Sequence, residues 1–133
     1  MEQVSVYVET EINPTEDEEK VRSAVGNFFS TSEMSFAPAQ NGKTLTAKAQ
    51  GQGSLTKFRD ILRNDRIRDA ARKMLFKSTR GNRIVFYLNK QVAFAGHVSF
   101  CEATGESPLG PIKVIIETEQ PQQVIEWLAE KNV

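Results

Sequence analysis

Val4-Ser5-Val6-Tyr7-Val8-Glu9-Thr10-Glu11-Ile12 places Val4, Val6, Val8 and Thr10 on one side of the chain and Ser5, Tyr7, Glu9 and Glu11 on the other. β-Branched residues at a period of two predict a strand with one buried face and one wet face. Asn13-Pro14-Thr15-Glu16 follows at once and offers two legal helix starts: Thr15 with Glu18 as a capping box, or Asn13 as the cap with Pro14 in the first helical position. Val21, Val25, Phe28 and Phe29 then recur at helical spacing. The acids Glu16 to Glu19 crowd the positive end of this helix, and Glu16–Lys20 and Glu18–Arg22 are favourably ordered pairs four residues apart. Helix electrostatics explain the acid run without a metal.

Outward from this first strand and helix, Asn41-Gly42 predicts a tight turn between strands near Met34–Ala37 and Lys43–Gln50. Ser54 is the expected cap of a second helix with Leu55, Phe58, Ile61 and Leu62 on its apolar side. Asn64-Asp65 marks a junction, after which Ile67, Ala70, Ala71, Met74 and Leu75 face inward on a third helix and Arg68 and Arg72 lie on its wet side. Arg80-Gly81-Asn82-Arg83 is a turn, and Arg83–Asn89 a strand. The segment from Asn89 to Gly96 either turns or prolongs that strand, and His97–Cys101 reads as the returning one. Gly105, Pro108, Gly110 and Pro111 mark a loop, Ile112–Thr118 a last strand, and Gln120-Pro121 the start of a terminal helix carrying Val124, Ile125 and Leu128 inward. This order predicts one α+β domain over residues 1–133, in two layers, with a largely antiparallel sheet and four helices on one face.

At 133 residues and 39% hydrophobic content the chain suits one core. It holds no apolar run near the ~20 residues that span a bilayer, and no basic segment leading into an apolar one at its start. A single cysteine, Cys101, precludes an internal disulfide, and with a single histidine, His97, it precludes the usual structural zinc patterns. A soluble, cytoplasmic protein without metal or cofactor is expected. No serine or cysteine occupies a nucleophile elbow, and the loop Gly105–Pro111 lacks the Gly-Lys-Ser/Thr ending of a Walker loop. The expectation is therefore a non-enzymatic protein.

Charge is the informative feature. The 17 basic and 17 acidic side chains cancel overall. Between Gln52 and Arg83, however, ten cations (Lys57, Arg59, Arg63, Arg66, Arg68, Arg72, Lys73, Lys77, Arg80 and Arg83) face three anions (Asp60, Asp65 and Asp69). That stretch carries +7 and the remainder −7. Seven of the ten cations are arginine, whose planar fork grips phosphate bidentately. Such a field attracts a polyanion whatever the net charge. RNA is the expected partner, held by Arg59, Arg63, Arg66, Arg68, Arg72, Lys73, Lys77, Arg80 and Arg83, with Lys57 and Lys90 at the margin. Phe86, Tyr87, Phe94 and Phe100 are candidate base-stacking aromatics, although strand aromatics more often serve the core. Without a nucleic-acid sequence signature, binding would be led by the phosphate backbone with weak sequence specificity.

Several strings occur together in order along nearly the whole chain: Ile12-Asn13-Pro14-Thr15-Glu16, Glu18-Glu19-Lys20-Val21, Asn27-Phe28-Phe29, Gly53-Ser54-Leu55, Leu88-Asn89-Lys90-Gln91 with Ala93-Phe94 and Gly96, Pro108-Leu109-Gly110-Pro111-Ile112, and Trp127-Leu128-Ala129. In these the chain resembles an archaeal family of small uncharacterised proteins, described as RNA-binding and as predicted exosome-associated proteins. The resemblance implies a two-layer fold similar to large-subunit ribosomal protein five and a role with RNA, and it supplies no catalytic residue. Two rival readings stand beside it. Complementary acidic and basic regions suit a protein-interaction or homodimerisation module. Alternatively Asn89, Lys90, Gln91, His97 and the loop 105–111 could converge on a small-molecule pocket in residues 89–97 and 105–111.

Overall fold

The computed structural model describes residues 3–31, 33–40, 42–102 and 110–130. Strand β1 (Val4–Ile12) buries Val4, Val6, Val8, Thr10 and Ile12, as its alternation predicts. It lies at the centre of the sheet, between β3 (Gly42–Gln50) and β7 (Pro111–Thr118), with Val8 opposite Ala47 on one side and Val114 on the other. β2 (Glu33–Ala39) flanks β3, and β5 (Arg83–Asn89) flanks β7. The short β4 (Thr79–Arg80) and β6 (Phe100–Cys101) both pair with the outer edge of β5. All pairs of this seven-stranded sheet are antiparallel.

Because registered residues share a face, Val6, Ile116 and Ile84 line up across β1, β7 and β5, and all three are buried. Their side meets the buried stripes of α1 (Glu18–Phe28), α2 (Thr56–Asn64), α3 (Arg68–Lys77) and α5 (Pro121–Leu128) in one core. A run of rings stitches helices to sheet: Phe29 lies 5.4 Å from Phe58, Phe58 stacks at 5.7 Å on Phe86, and Phe86 sits 5.7 Å from Phe100. The opposite face, with Ser5, Tyr7, Glu9, Lys113, Ile115, Val85 and Tyr87, is only partly buried. The α+β, two-layer expectation holds, with five α-helices rather than four among the described residues. The fifth is α4 (Lys90–Phe94), where Asn89 caps the helix by accepting the Val92 N–H at 3.0 Å.

Local starts differ from the sequence expectations. Neither Thr15 nor Asn13 caps α1; Asp17 does, accepting the Glu19 N–H at 2.9 Å. Asn13 to Glu16 instead form a turn closed by the Glu16 N–H on the Asn13 carbonyl. The reason is Glu16, whose carboxylate turns inward to Lys90 rather than outward to Lys20. Glu18 likewise pairs with Lys43 at 2.8 Å, not with Arg22. Ser54 lies inside a 3₁₀ turn (Gln52–Leu55) and donates to the Gly51 carbonyl, so α2 has no side-chain cap. Ala70 is exposed, because Ala71 and Leu75 already fill the contact of α3 with the core. His97–Cys101 pairs only at its last two residues, and Asn41 and the loop 105–109 lie outside the described residues. Gly42 has φ +105, and a Cβ there would collide with the Ile12 carbonyl oxygen, which explains glycine at the start of β3.

Lys90 was expected at the margin of a basic surface, yet it is fully buried. Its Nζ donates to the Glu11 carbonyl at 2.6 Å and to Glu16 Oε1 at 3.0 Å. The same Oε1 accepts the backbone N–H and side-chain amide of Asn13 at 3.0 and 2.8 Å. Two of the strings quoted above, around Asn13–Glu16 and Asn89–Gln91, thus meet in one internal ion pair that ties α4 to the end of β1. Burial pushes the Glu16 carboxyl up, but the hydrogen bonds from Asn13 and Lys90 and the Lys90 charge outweigh it and hold the group below its ordinary value of 4.5.

Lys90→Ala strands the Glu16 carboxylate in the interior and is expected to cost about 3–5 kcal/mol of stability, read by urea unfolding. A carboxyl held low in the fold stabilises above its ordinary value, and that stability is lost as pH falls through the depressed one. Glu16→Gln is therefore expected to show a shallower loss of stability below pH 4.5 than the wild type, measured by unfolding across an acid series.

Candidate nucleic-acid interface

The junction between α2 and α3 brings the arginines together. α2 ends in a reversal in which the Asp65 N–H reaches the Ile61 carbonyl at 2.8 Å, the Arg66 N–H that of Arg63 at 3.1 Å and the Ile67 N–H that of Leu62 at 3.2 Å. Arg66 takes the left-handed conformation, φ 58. Asp65 is held from behind: one carboxylate oxygen accepts the Val98 N–H at 3.2 Å and the other lies 2.9 Å from His97 Nδ1. Fixed in this way, the turn sets Arg63, Arg66 and Arg68 around a hollow of about 280 Å³, with Asp69 as its remaining lining residue among those described.

Arg59 and Arg72 behave differently. Arg59 stacks over the Trp127 ring at 5.1 Å, donates through Nε to the Trp127 carbonyl at 2.9 Å, and pairs with Glu130 at 2.6 Å. Arg72 lies over Phe76 at 5.1 Å and pairs with Glu126 at 3.3 Å. Their side chains are only 22% and 19% exposed, so neither stands on a free wet face. Arg72 points along the flank of α3 that packs on α5, which corrects its expected solvent position. The hydrogen bond and charge of Arg59, helped by the charges of Arg63 and Arg68, hold the Glu130 carboxyl below its ordinary value.

Lys73 and Lys77 are exposed on the outer side of α3, and Arg80 follows on β4, donating to the carbonyls of Lys77 and Thr79. Arg63, Arg66, Lys73 and Lys77 make no salt bridge among the described residues. Arg83 does not join them. It opens β5 on the sheet face turned away from the helices and pairs with Glu117 at 3.1 Å. Lys57 reaches the other way, to the Gly26 carbonyl in the last turn of α1.

Of the aromatic candidates, Phe86 is core and Phe100 packs on it, Tyr87 is half-buried on the open sheet face, and Phe94 is exposed. The polar residues between β5 and β6 do not converge on a pocket: Asn89 caps α4, Lys90 is buried, Gln91 points to solvent and His97 pairs with Asp65. No helix among the described residues is long and apolar enough to cross a membrane. Sequence reading missed the service of Glu126, Trp127 and Glu130 to the basic helices. No local spacing signals it, since Arg59 and Glu130 lie 71 residues apart and Arg72 and Glu126 lie 54 apart.

A family model described as RNA binding matches residues 5–118. A UPF0201 protein of Sulfurisphaera tokodaii is 46% identical over 96% of this chain and 88% of its own length, and one of Sulfolobus acidocaldarius is also 46% identical over the same shares. The crystal structure of a UPF0201 protein from Methanococcus jannaschii superposes with a TM-score of 0.85 at 31% identity, covering 97% of this chain and 95% of that one.

Arg59→Ala is expected to lower the thermal midpoint, because it removes the stack on Trp127 and leaves a carbonyl without its donor. Arg63→Ala and Lys73→Ala, at exposed sites, should change stability by no more than about 0.5 kcal/mol. Thermal unfolding of the three variants checks the division into supporting and surface cations.

Proposed function

This chain belongs to the archaeal UPF0201 family with its RNA-binding description, and on that footing we propose that it is a non-enzymatic RNA-binding domain that grips the phosphate backbone through the outer side of α2 and α3. The observation that carries this reading is the set of exposed cations Arg63, Arg66, Lys73 and Lys77, none in a salt bridge among the described residues, while nearby acids Glu126 and Glu130 are engaged by Arg72 and Arg59. Arg68 and Arg80 extend the surface; Arg59 and Arg72 brace it. Arg83, on the far sheet face, lies outside this footprint. Phe86 is buried and Phe100 packs against it, so neither offers its face to a base, and a set led by cations favours backbone contacts and weak sequence choice.

Self-association through complementary patches has less support. Three of the acids that it would use are engaged within the chain: Glu18 by Lys43, Glu126 by Arg72 and Glu130 by Arg59. A single cysteine, unable to form an internal disulfide, supports a cytoplasmic setting. An exosome association and a likeness to ribosomal protein five rest on the family resemblance alone.

If about five of these cations neutralise phosphates of a single strand, log affinity falls with log salt at a slope of roughly −3 to −4. Filter binding of a single-stranded RNA across a salt series is expected to give that slope. Lys73→Glu combined with Lys77→Glu should weaken binding at least tenfold at low salt with an unchanged circular dichroism spectrum. Unchanged affinity in the double variant, or a wild-type slope near zero, would contradict the reading.

A further inference from the structure

Three guanidinium groups and one carboxylate around a hollow of about 280 Å³ make an unusual wall for a surface that only needs to meet water. We propose that the hollow lined by Arg63, Arg66 and Arg68 seats a phosphate monoester, namely the terminal phosphate of an RNA strand. This deepens the RNA-binding reading and rests on it.

Charge, size and backbone point the same way. Counting Asp69, the lining carries a net +2, which matches a monoester with a charge between −1.5 and −2 near neutrality better than a backbone diester with a single charge. At about 280 Å³, near the lower end of ligand pockets, the hollow has room for a terminal phosphate together with part of its nucleoside. Arginine forks from the end of α2, the junction and the start of α3 can donate in pairs to the oxygens of such a group. Arg68 and Arg63 also feel the Glu130 carboxylate, but that group is bonded to Arg59.

Arg66 adds the independent observation. It occupies the left-handed position that ends α2, where glycine, or less often asparagine, is the usual residue because a Cβ is strained there. Arginine terminates the helix no better than glycine would, so what the position gains is a guanidinium on the wall of the hollow.

The test compares one short single-stranded RNA bearing a 5′-phosphate, a 3′-phosphate or hydroxyls at both ends, together with a nucleoside monophosphate as competitor, by fluorescence anisotropy on the full chain. One phosphorylated form is expected to bind about tenfold more tightly than the hydroxyl form, equivalent to about 1.4 kcal/mol. Arg66→Gly is expected to abolish that preference, to weaken hydroxyl-ended RNA only by the loss of one backbone cation, and to melt at or above the wild-type temperature; a purely structural Arg66 would instead lower the midpoint. Arg63→Gln, at an exposed helical site, should lose the preference as well. Equal binding of all three strands overturns end recognition and leaves backbone binding standing. Absence of binding to any strand overturns both, and a nucleoside monophosphate that binds as tightly as the strand reassigns the hollow to free nucleotide and overturns the strand-end proposal.

Discussion

Seven antiparallel strands turn their buried side chains to one face of the sheet, and the buried stripes of the helices have nowhere else to go. That constraint lays α2, α3 and α5 side by side over β5 and β7, with Phe58, Leu62, Ala71, Leu75, Val124 and Ile125 directed inward. Charges on the same helices are then forced to the flanks and the outer surface. Polar side chains between two apolar layers would lose hydration without compensation, so the position of the basic groups is a consequence of where the core is.

The flank and the outer surface have different fates. Along the seam with α5, Arg59 and Arg72 lie over Trp127 and Phe76 and meet Glu130 and Glu126. Partly exposed pairs of this kind add little to stability, but they neutralise the acids of α5 locally. The outer surface retains its field because acids are few there, and Asp65 is drawn away by Val98 and His97. The Lys90–Glu16 pair obeys the opposite logic. Buried and multiply hydrogen-bonded, it joins two segments far apart in the chain, and its loss would leave a charge without water.

Much of this was legible in the sequence, where one rule dominated locally. Period-two alternation gave β1, β3, β5 and β7 nearly residue by residue, and the apolar spacing gave α1, α2, α3 and α5. The α+β fold is shared with the crystal structure of the Methanococcus jannaschii UPF0201 protein. What escaped were features decided by distant partners. Glu16 looks like an ordinary first-turn acid until Lys90 arrives 74 residues later to draw it inward. Arg72 sits at a spacing that reads as solvent-facing until α5 covers that flank. Arg83 lies opposite Arg80 in the β4–β5 register, so the two share a sheet face; the Arg80 guanidinium turns back to the Lys77 carbonyl, whereas that of Arg83 pairs with Glu117.

Ultraviolet crosslinking of the protein to RNA in cells, followed by mass-spectrometric mapping of the peptides that carry nucleotide, tests RNA binding by the outer side of α2 and α3 most directly. Adducts concentrated between Arg63 and Arg80 are the predicted result. Adducts confined to the open sheet face around Tyr7, Val85 and Tyr87, or no RNA recovered at all, would contradict it.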